Sequence, residues 1–180
     1  MIMLDVMRAI PAKASRAAGL MLRPTAAVLL LVLTFVTASG AADLPTKFDP
    51  SRDAAADIAR ATSLANAQGK RVIVDVGGEW CAWCHVMDRF LATNPDVHAL
   101  VGAHFIWVKV NFSPQNRNEA VLSRWPPIHG YPHLFVLDGS GRLLHSQDTG
   151  ELEAGNGYDK GRFRAFLESW AGSPVPVGRT

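Results

Sequence analysis

Apolar positions along the chain switch between a helical and an extended pattern. From Asp53 to Gln68 an alanine-rich stretch carries Ile58, Ala61, Leu64 and Ala65 at helical spacing, and Gly69 supplies a stop. Arg71–Val76 is β-branched, nearly continuous and too short for a helix, which predicts a buried strand. Gly77-Gly78-Glu79 breaks it. The spacing predicts a helix over Cys84–Ala92, and Asn94-Pro95-Asp96 opens a shorter one over Val97–Val101, with Pro95 near its first turn. Phe105–Asn111, rich in aromatic and β-branched residues, predicts a second buried strand. Polar Ser113–Asn118 leads to a predicted helix, Glu119–Trp125, ended by Pro126-Pro127. His133–Leu137 predicts a third strand with Pro132 at its head. Asp138-Gly139-Ser140-Gly141 is a hairpin turn and Arg142–His145 the returning strand. Asp148–Gly157 reads as a loop. Tyr158–Trp170 reads as a final helix with Phe163, Phe166, Leu167 and Trp170 on one face. Strands joined by helices are expected to be parallel, with the last hairpin adding an antiparallel edge. The result is an α/β sandwich with a mixed central sheet flanked by helices.

The N-terminal part has a different grammar. Arg8, Lys13, Arg16 and Arg23 precede an apolar run, Ala26–Val36, and small residues follow from Thr37 to Ala42. A basic region, an apolar region of about 7–15 residues and a small-residue exit make a secretory signal. The competing reading is a membrane anchor, but the run is shorter than the roughly 18–20 apolar residues a spanning helix needs. The stretch before Met21 is long for a basic region, so translation from Met21 is a second reading. The expected division is a signal over 1–42, a polar, proline-marked lead-in over 43–53, one domain over 54–172 and a tail over 173–180.

Charge changes little once that segment is set aside. The chain has 18 Lys/Arg and 16 Asp/Glu, and residues 1–42 hold four of the former and one of the latter; the remainder carries 14 against 15, net −1. That balance gives no electrostatic case for nucleic acid or an anionic membrane, so the membrane is met only during export.

The chain has two cysteines, and they sit three apart in Trp80-Cys81-Ala82-Trp83-Cys84-His85. No other cysteine competes for the pair. Export places it in an oxidising space. A bridge closing so small a loop stabilises a fold little, which argues against a purely structural role. A thiolate at a helix N-terminus is favoured by the helix dipole and by free backbone N–H groups. Cys81 lies at that junction and is the expected nucleophile. Cys84, one turn inside, is placed to resolve a mixed disulfide formed at Cys81. Trp80 and Trp83 are either packing residues or, beside a reactive pair, groups that exclude water and contact partners.

Val74-Asp75-Val76-Gly77-Gly78-Glu79-Trp80-Cys81-Ala82-Trp83-Cys84 resembles the strand, acid, connector, Trp and Cys-x-x-Cys of the thioredoxin superfamily, and the element order agrees over roughly 54–171. Cys84-His85-Val86-Met87 also looks like thioredoxin-like domains with a Cys-x-Trp-Cys-His-Val-Met motif. The resemblance implies a thioredoxin-like three-layer sandwich and thiol–disulfide exchange with client proteins, without a bound cofactor or metal. It implies that Asp75 is the buried acid that assists proton transfer, paired with Lys109. It further implies that Pro132 is the cis-proline opposite the cysteines, with Tyr131 before it contacting substrate chain. The N-terminal signal implies a periplasmic or secreted location; the Asp75/Lys109 pair of the resemblance favours a reductant over an oxidant, and a reductant there needs an electron donor such as a membrane thiol-relay protein. Asp75 as a solvent-facing acid and Lys109 as an edge residue with its head in water are the plain alternatives. Ala82-Trp83 stands where thioredoxins often have Gly-Pro, and His85 where they often have lysine. His85 is open between stabilising a thiolate and no specific role.

Two other chemistries share these residues. Cys81-Ala82-Trp83-Cys84-His85 matches the attachment signature of c-type haem. Met87 is too close to His85 to ligate the opposite haem face, which leaves His98, His104, His129, His133 or His145 for that role. Cys81, Cys84 and His85, with His133, are candidate ligands for copper handling. A structural zinc site lacks its second pair.

Overall fold

The computed structural model describes residues 43–172; the expected signal over 1–42 and tail over 173–180 lie outside the described residues. Asp53 turns its carboxylate onto the N–H groups of Ala55 and Ala56, at 2.9 and 3.2 Å, and starts α1 (Ala54–Gln68). Gly69, at φ 64°, ends the helix in the left-handed conformation that glycine adopts without a steric penalty. The sheet follows: β1 (Arg71–Gly77), β2 (Phe105–Asn111), β3 (His133–Leu137) and β4 (Leu143–Asp148), in the order β2-β1-β3-β4.

The crossover from β1 to β2 carries α2 (Ala82–Thr93) and α3 (Pro95–His104), and the two strands are parallel as expected. β3 corrects the expectation, because it runs antiparallel to β1. Between β2 and β3 the only helix is α4 (Glu119–Leu122), shorter than the Glu119–Trp125 expected. One turn advances ~6 Å, against the ~23 Å of a seven-residue strand, so it does not carry the chain back to the far end of the sheet. The chain re-enters beside Val76, at the end where β2 finished, and β3 descends from there.

Alternation along the strands builds two cores. Val72, Val74, Val76, Val108, Val110, Phe135 and Leu137 face α1 with Ala61 and Ala65. Ile73, Phe105, Leu134 and Val136 face the other way, against Met87 of α2, Val97 of α3 and Phe163 and Leu167 of α5 (Lys160–Trp170). These are the three layers of a helix–sheet–helix sandwich. α5 starts two residues later than the periodicity suggested because Asp159 caps it, accepting from Arg162 N–H at 2.9 Å. The expected loop before it contains a 3₁₀ turn, Thr149–Leu152, and a small hairpin, β5 (Glu153–Ala154) with β6 (Gly157–Tyr158). Tyr158 therefore belongs to a strand, and its ring packs edge-on against Trp83 and Phe163. No helix among the described residues is long and apolar enough to cross a membrane.

Candidate active site

The two cysteines meet at the start of α2. Cys81 is the capping residue, held extended by its N–H bond to Gly78 O at 2.9 Å, and its Sγ accepts the N–H of Cys84 at 3.1 Å. Cys81 and Cys84 are bonded to each other and are 3 % and 1 % exposed. A helix N-terminus aimed at Cys81 Sγ favours negative charge there once the bridge is reduced. α2 begins at Ala82, two residues before the expected start, because the sulfur itself satisfies a first-turn N–H.

Gly77 lets the pair approach the sheet. A Cβ at this position would overlap Cys84 Sγ and lie 3.0 Å from Phe48 Cζ. Gly77→Ala is therefore expected to destabilise the oxidised protein by about 1–3 kcal/mol, as overpacking of a filled core does. Urea unfolding of the oxidised and reduced forms checks it, with the larger loss expected in the oxidised form.

Asp75 lies two residues before Gly77, on the same face of β1. Its carboxylate is buried, and Lys109, its register partner on β2, donates to Oδ2 at 3.1 Å. Trp107 Nε1–H donates to the same oxygen at 3.2 Å, while Oδ1 has no partner. Lys109 is buried as well, although β2 is an edge strand, and it donates to Asp88 Oδ1 at 2.8 Å. Burial pushes the Asp75 carboxyl above its ordinary value, against the opposing pull of Lys109. Burial works against the charge on Lys109 too, but the carboxylates of Asp75 and Asp88 outweigh it and hold the ammonium above its ordinary value. The Asp88 side chain is 46 % exposed, whereas the Asp75 carboxyl is buried.

Across the cysteines, the Tyr131–Pro132 peptide bond is cis, the form the resemblance implied. Thr149 Oγ1 donates to Pro132 O. Tyr131 stacks on Phe112 at 5.0 Å and meets Trp80 edge-on at 5.5 Å. Trp80 is 56 % exposed and its Nε1–H is tied to Phe112 O at 2.8 Å. It borders an apolar cleft of about 490 Å³ formed with Phe112, Pro114 and Arg117. Trp83 is different: it is half-buried and packs into the core against Tyr158. His85 directs Nε2–H to Glu79 O at 2.9 Å, which braces the turn before the cysteines.

Cys81, Cys84, Asp75 and Lys109 thus gather at the carboxyl end of β1; Trp83 and Tyr131 pack against the cysteines, Trp80 meets Tyr131, and Pro132 follows Tyr131 in the chain. His133 does not join. It shares a face of β3 with Phe135 and Leu137, toward α1, and its Nε2 bonds Ser146 Oγ at 2.8 Å. It therefore does not complete a copper set with the cysteines. The haem signature fares no better, since both sulfurs are buried in a mutual bond and the Nε2 of His85 is engaged. Two participants escaped the sequence reading. Asp88 is four residues after Cys84 and so on the same side of α2, a spacing that could have flagged it. Phe48 is the lone aromatic of a polar lead-in, and it is buried against both cysteines.

Residues 53–139 match a family model described as thioredoxin-like. Over these residues the chain is thioredoxin-like. Among solved structures, this thioredoxin-like domain is similar to a disulphide isomerase from Xylella fastidiosa, with TM-score 0.59, 24 % identity, and 71 % of this chain and 97 % of that one covered. It is also similar to the C-terminal domain of Neisseria meningitidis DsbD in its oxidised form, with TM-score 0.50, 22 % identity, and 66 % and 96 % covered. Both likenesses concern the fold. Among curated proteins, the thiol:disulfide interchange protein DsbD of Pseudoalteromonas atlantica is 26 % identical over 100 residues, covering 54 % of this chain and 17 % of that protein. DsbD of Pseudomonas fluorescens is 29 % identical over 117 residues, covering 64 % and 18 %. The chain spans less than a fifth of the length of these relatives.

Proposed function

We propose that this thioredoxin-like domain is a thiol–disulfide oxidoreductase that exchanges Cys81 and Cys84 with disulfides of client proteins. The observation that carries the reading is the bonded pair at the N-terminus of α2, with the Asp75 carboxyl buried on the strand face it covers. In the reduced protein the Cys81 thiolate attacks one sulfur of a client disulfide, and the other client sulfur leaves as a thiolate. Cys84 then loses its proton to Asp75 and attacks Cys81 Sγ. The Cys81–Cys84 bond forms, the Cys81–client bond breaks, and the second client thiolate departs and is protonated. Two electrons pass from the pair to the client.

Trp80, Tyr131 and Pro132 would hold the client chain, while Trp83 would keep the α2 start packed. The reductive direction, export by residues 1–42 to a periplasmic or secreted location, and electron supply by a membrane thiol-relay protein complete the proposal. The likeness to proteins named for thiol:disulfide interchange supports it. The reduced full chain, mixed with a disulfide-bonded protein, is expected to generate client thiols in proportion to its own oxidation. Cys81→Ser is expected to leave only the uncatalysed background. Undiminished exchange by Cys81→Ser would overturn the assignment of roles.

A further inference from the structure

The lead-in segment is built into the site. Phe48 N–H donates to Glu79 Oε1 at 3.0 Å, in the turn before the cysteines. Asn116 Nδ2–H donates to Pro50 O at 3.0 Å. Arg52 bonds Asp57 of α1 through Nε at 2.7 Å and donates from Nη2 to Asp43 O at 3.1 Å. Four contacts along ten residues fix the path of the segment and the position of the one aromatic ring it carries.

That ring stands between two chemically different spaces. Its edge faces the sulfur side: Cζ and Cε1 lie 3.0 and 3.3 Å from the point a Gly77 Cβ would occupy, the same point that overlaps Cys84 Sγ. Its face lies under the Lys109 ammonium, with Nζ 4.1 Å from the ring centroid. Beyond Lys109 opens a cavity of about 330 Å³, lined by Pro45, Thr46, Asp88, His98, Trp107 and Lys109. The polar heads of Lys109 and Asp88 give water a place to bind there, whereas the Cys81–Cys84–Phe48 cluster is apolar.

We propose that Phe48 is a positioning residue that partitions the site, keeping water of the Lys109 cavity away from Cys84. The inference rests on the exchange reading above. With the partition in place, the proton that Cys84 must lose to attack Cys81 Sγ goes to Asp75, whose Oδ1 is buried and has no partner. Without it, water from the cavity reaches the sulfur and replaces Asp75 as proton acceptor. The cation on the ring face also holds Phe48 in place, so the group that pairs with the acid fixes the barrier that isolates it.

The test is a double-mutant cycle between positions 48 and 75 in the full chain. The reduced protein is mixed with dithiobis(nitrobenzoate): the first nitrothiolate leaves as Cys81 forms a mixed disulfide, and the second leaves as Cys84 closes the bridge. In the Phe48 background, Asp75→Asn is expected to slow the second phase by roughly 10²-fold. In Phe48→Ala the same change should slow it by less than about threefold, and Phe48→Leu, which refills the space, should restore most of the dependence. An unchanged effect of Asp75→Asn in Phe48→Ala overturns the partition. A wild-type protein with no second phase overturns the exchange reading itself. If Phe48→Ala does not unfold cooperatively, Glu79→Ala, which frees the Phe48 anchor without emptying the core, takes its place with the same two outcomes.

Discussion

Cys84→Ser is expected to trap the protein on its clients as stable mixed disulfides at Cys81. In the wild-type protein the second sulfur sits one helical turn away, and intramolecular attack of this kind competes at effective concentrations on the order of 10⁵ M or more. Serine removes that competitor and leaves the N-terminal N–H groups of α2 that favour the Cys81 thiolate. Adducts that form in seconds should then persist until an external thiol is added, whereas Cys81→Ser should form none, because the remaining Cys84 is 1 % exposed. Non-reducing gels and intact mass after mixing with a disulfide-bonded protein read both outcomes. Adducts forming on Cys84 alone would exchange the two roles.

Asp75→Asn is expected to stabilise the fold and impair it as a catalyst. The Asp75 carboxyl is held above its ordinary value by burial, so the folded protein holds that proton more tightly than the unfolded chain does. The sign follows from linkage: below the unfolded-state value of about 3.8 both states are protonated and Asp75 costs nothing. As pH rises through the higher folded-state value the folded protein must give up that proton, and stability falls. Asparagine imitates the neutral acid, so its advantage in Tm should be absent near pH 3.5 and grow toward neutral pH, at about 4 °C for each kcal/mol relieved. Lys109, raised in the same network, contributes stability that is fully present below about pH 10.5 and lost only above it, so it does not confuse that window. Bridge closure should slow by roughly 10²-fold, the lower range for removal of a proton-transfer group. A variant that closes at the wild-type rate, or whose Tm falls equally at every pH, would separate Asp75 from the chemistry.

Much of this was legible in the residues, for reasons that differ by element. Phe105–Asn111 and His133–Leu137 emerged with their observed bounds because strands buried on both faces are written as unbroken apolar runs. The cysteines, with Asp75, were legible from a short motif at a strand-to-helix junction, a local arrangement. The direction of β3 was not, since it depends on how far α4 carries the chain, and periodicity over four to seven residues does not fix a helix end. Asp88 and Phe48 were missed for a related reason. Each acts through a contact made in three dimensions, with Lys109 on a distant strand, and neither residue type announces itself on an exposed helix face or in a polar lead-in. Trp80 and Trp83 look alike in sequence, one residue before and two after the Cys81 cap, and only packing separates the exposed one from the one against Tyr158.

The measurement that bears most directly on the central claim is a redox titration of the purified protein, reading Cys81 and Cys84 by thiol alkylation and intact mass. A reversible two-electron couple is predicted, with a potential nearer the −270 mV of thioredoxin than the −120 mV of a strong oxidant, each to within about 30 mV. A couple near −120 mV would keep the exchange chemistry and reverse its direction. Cysteines that stay blocked, or that show no reversible couple, would contradict the account.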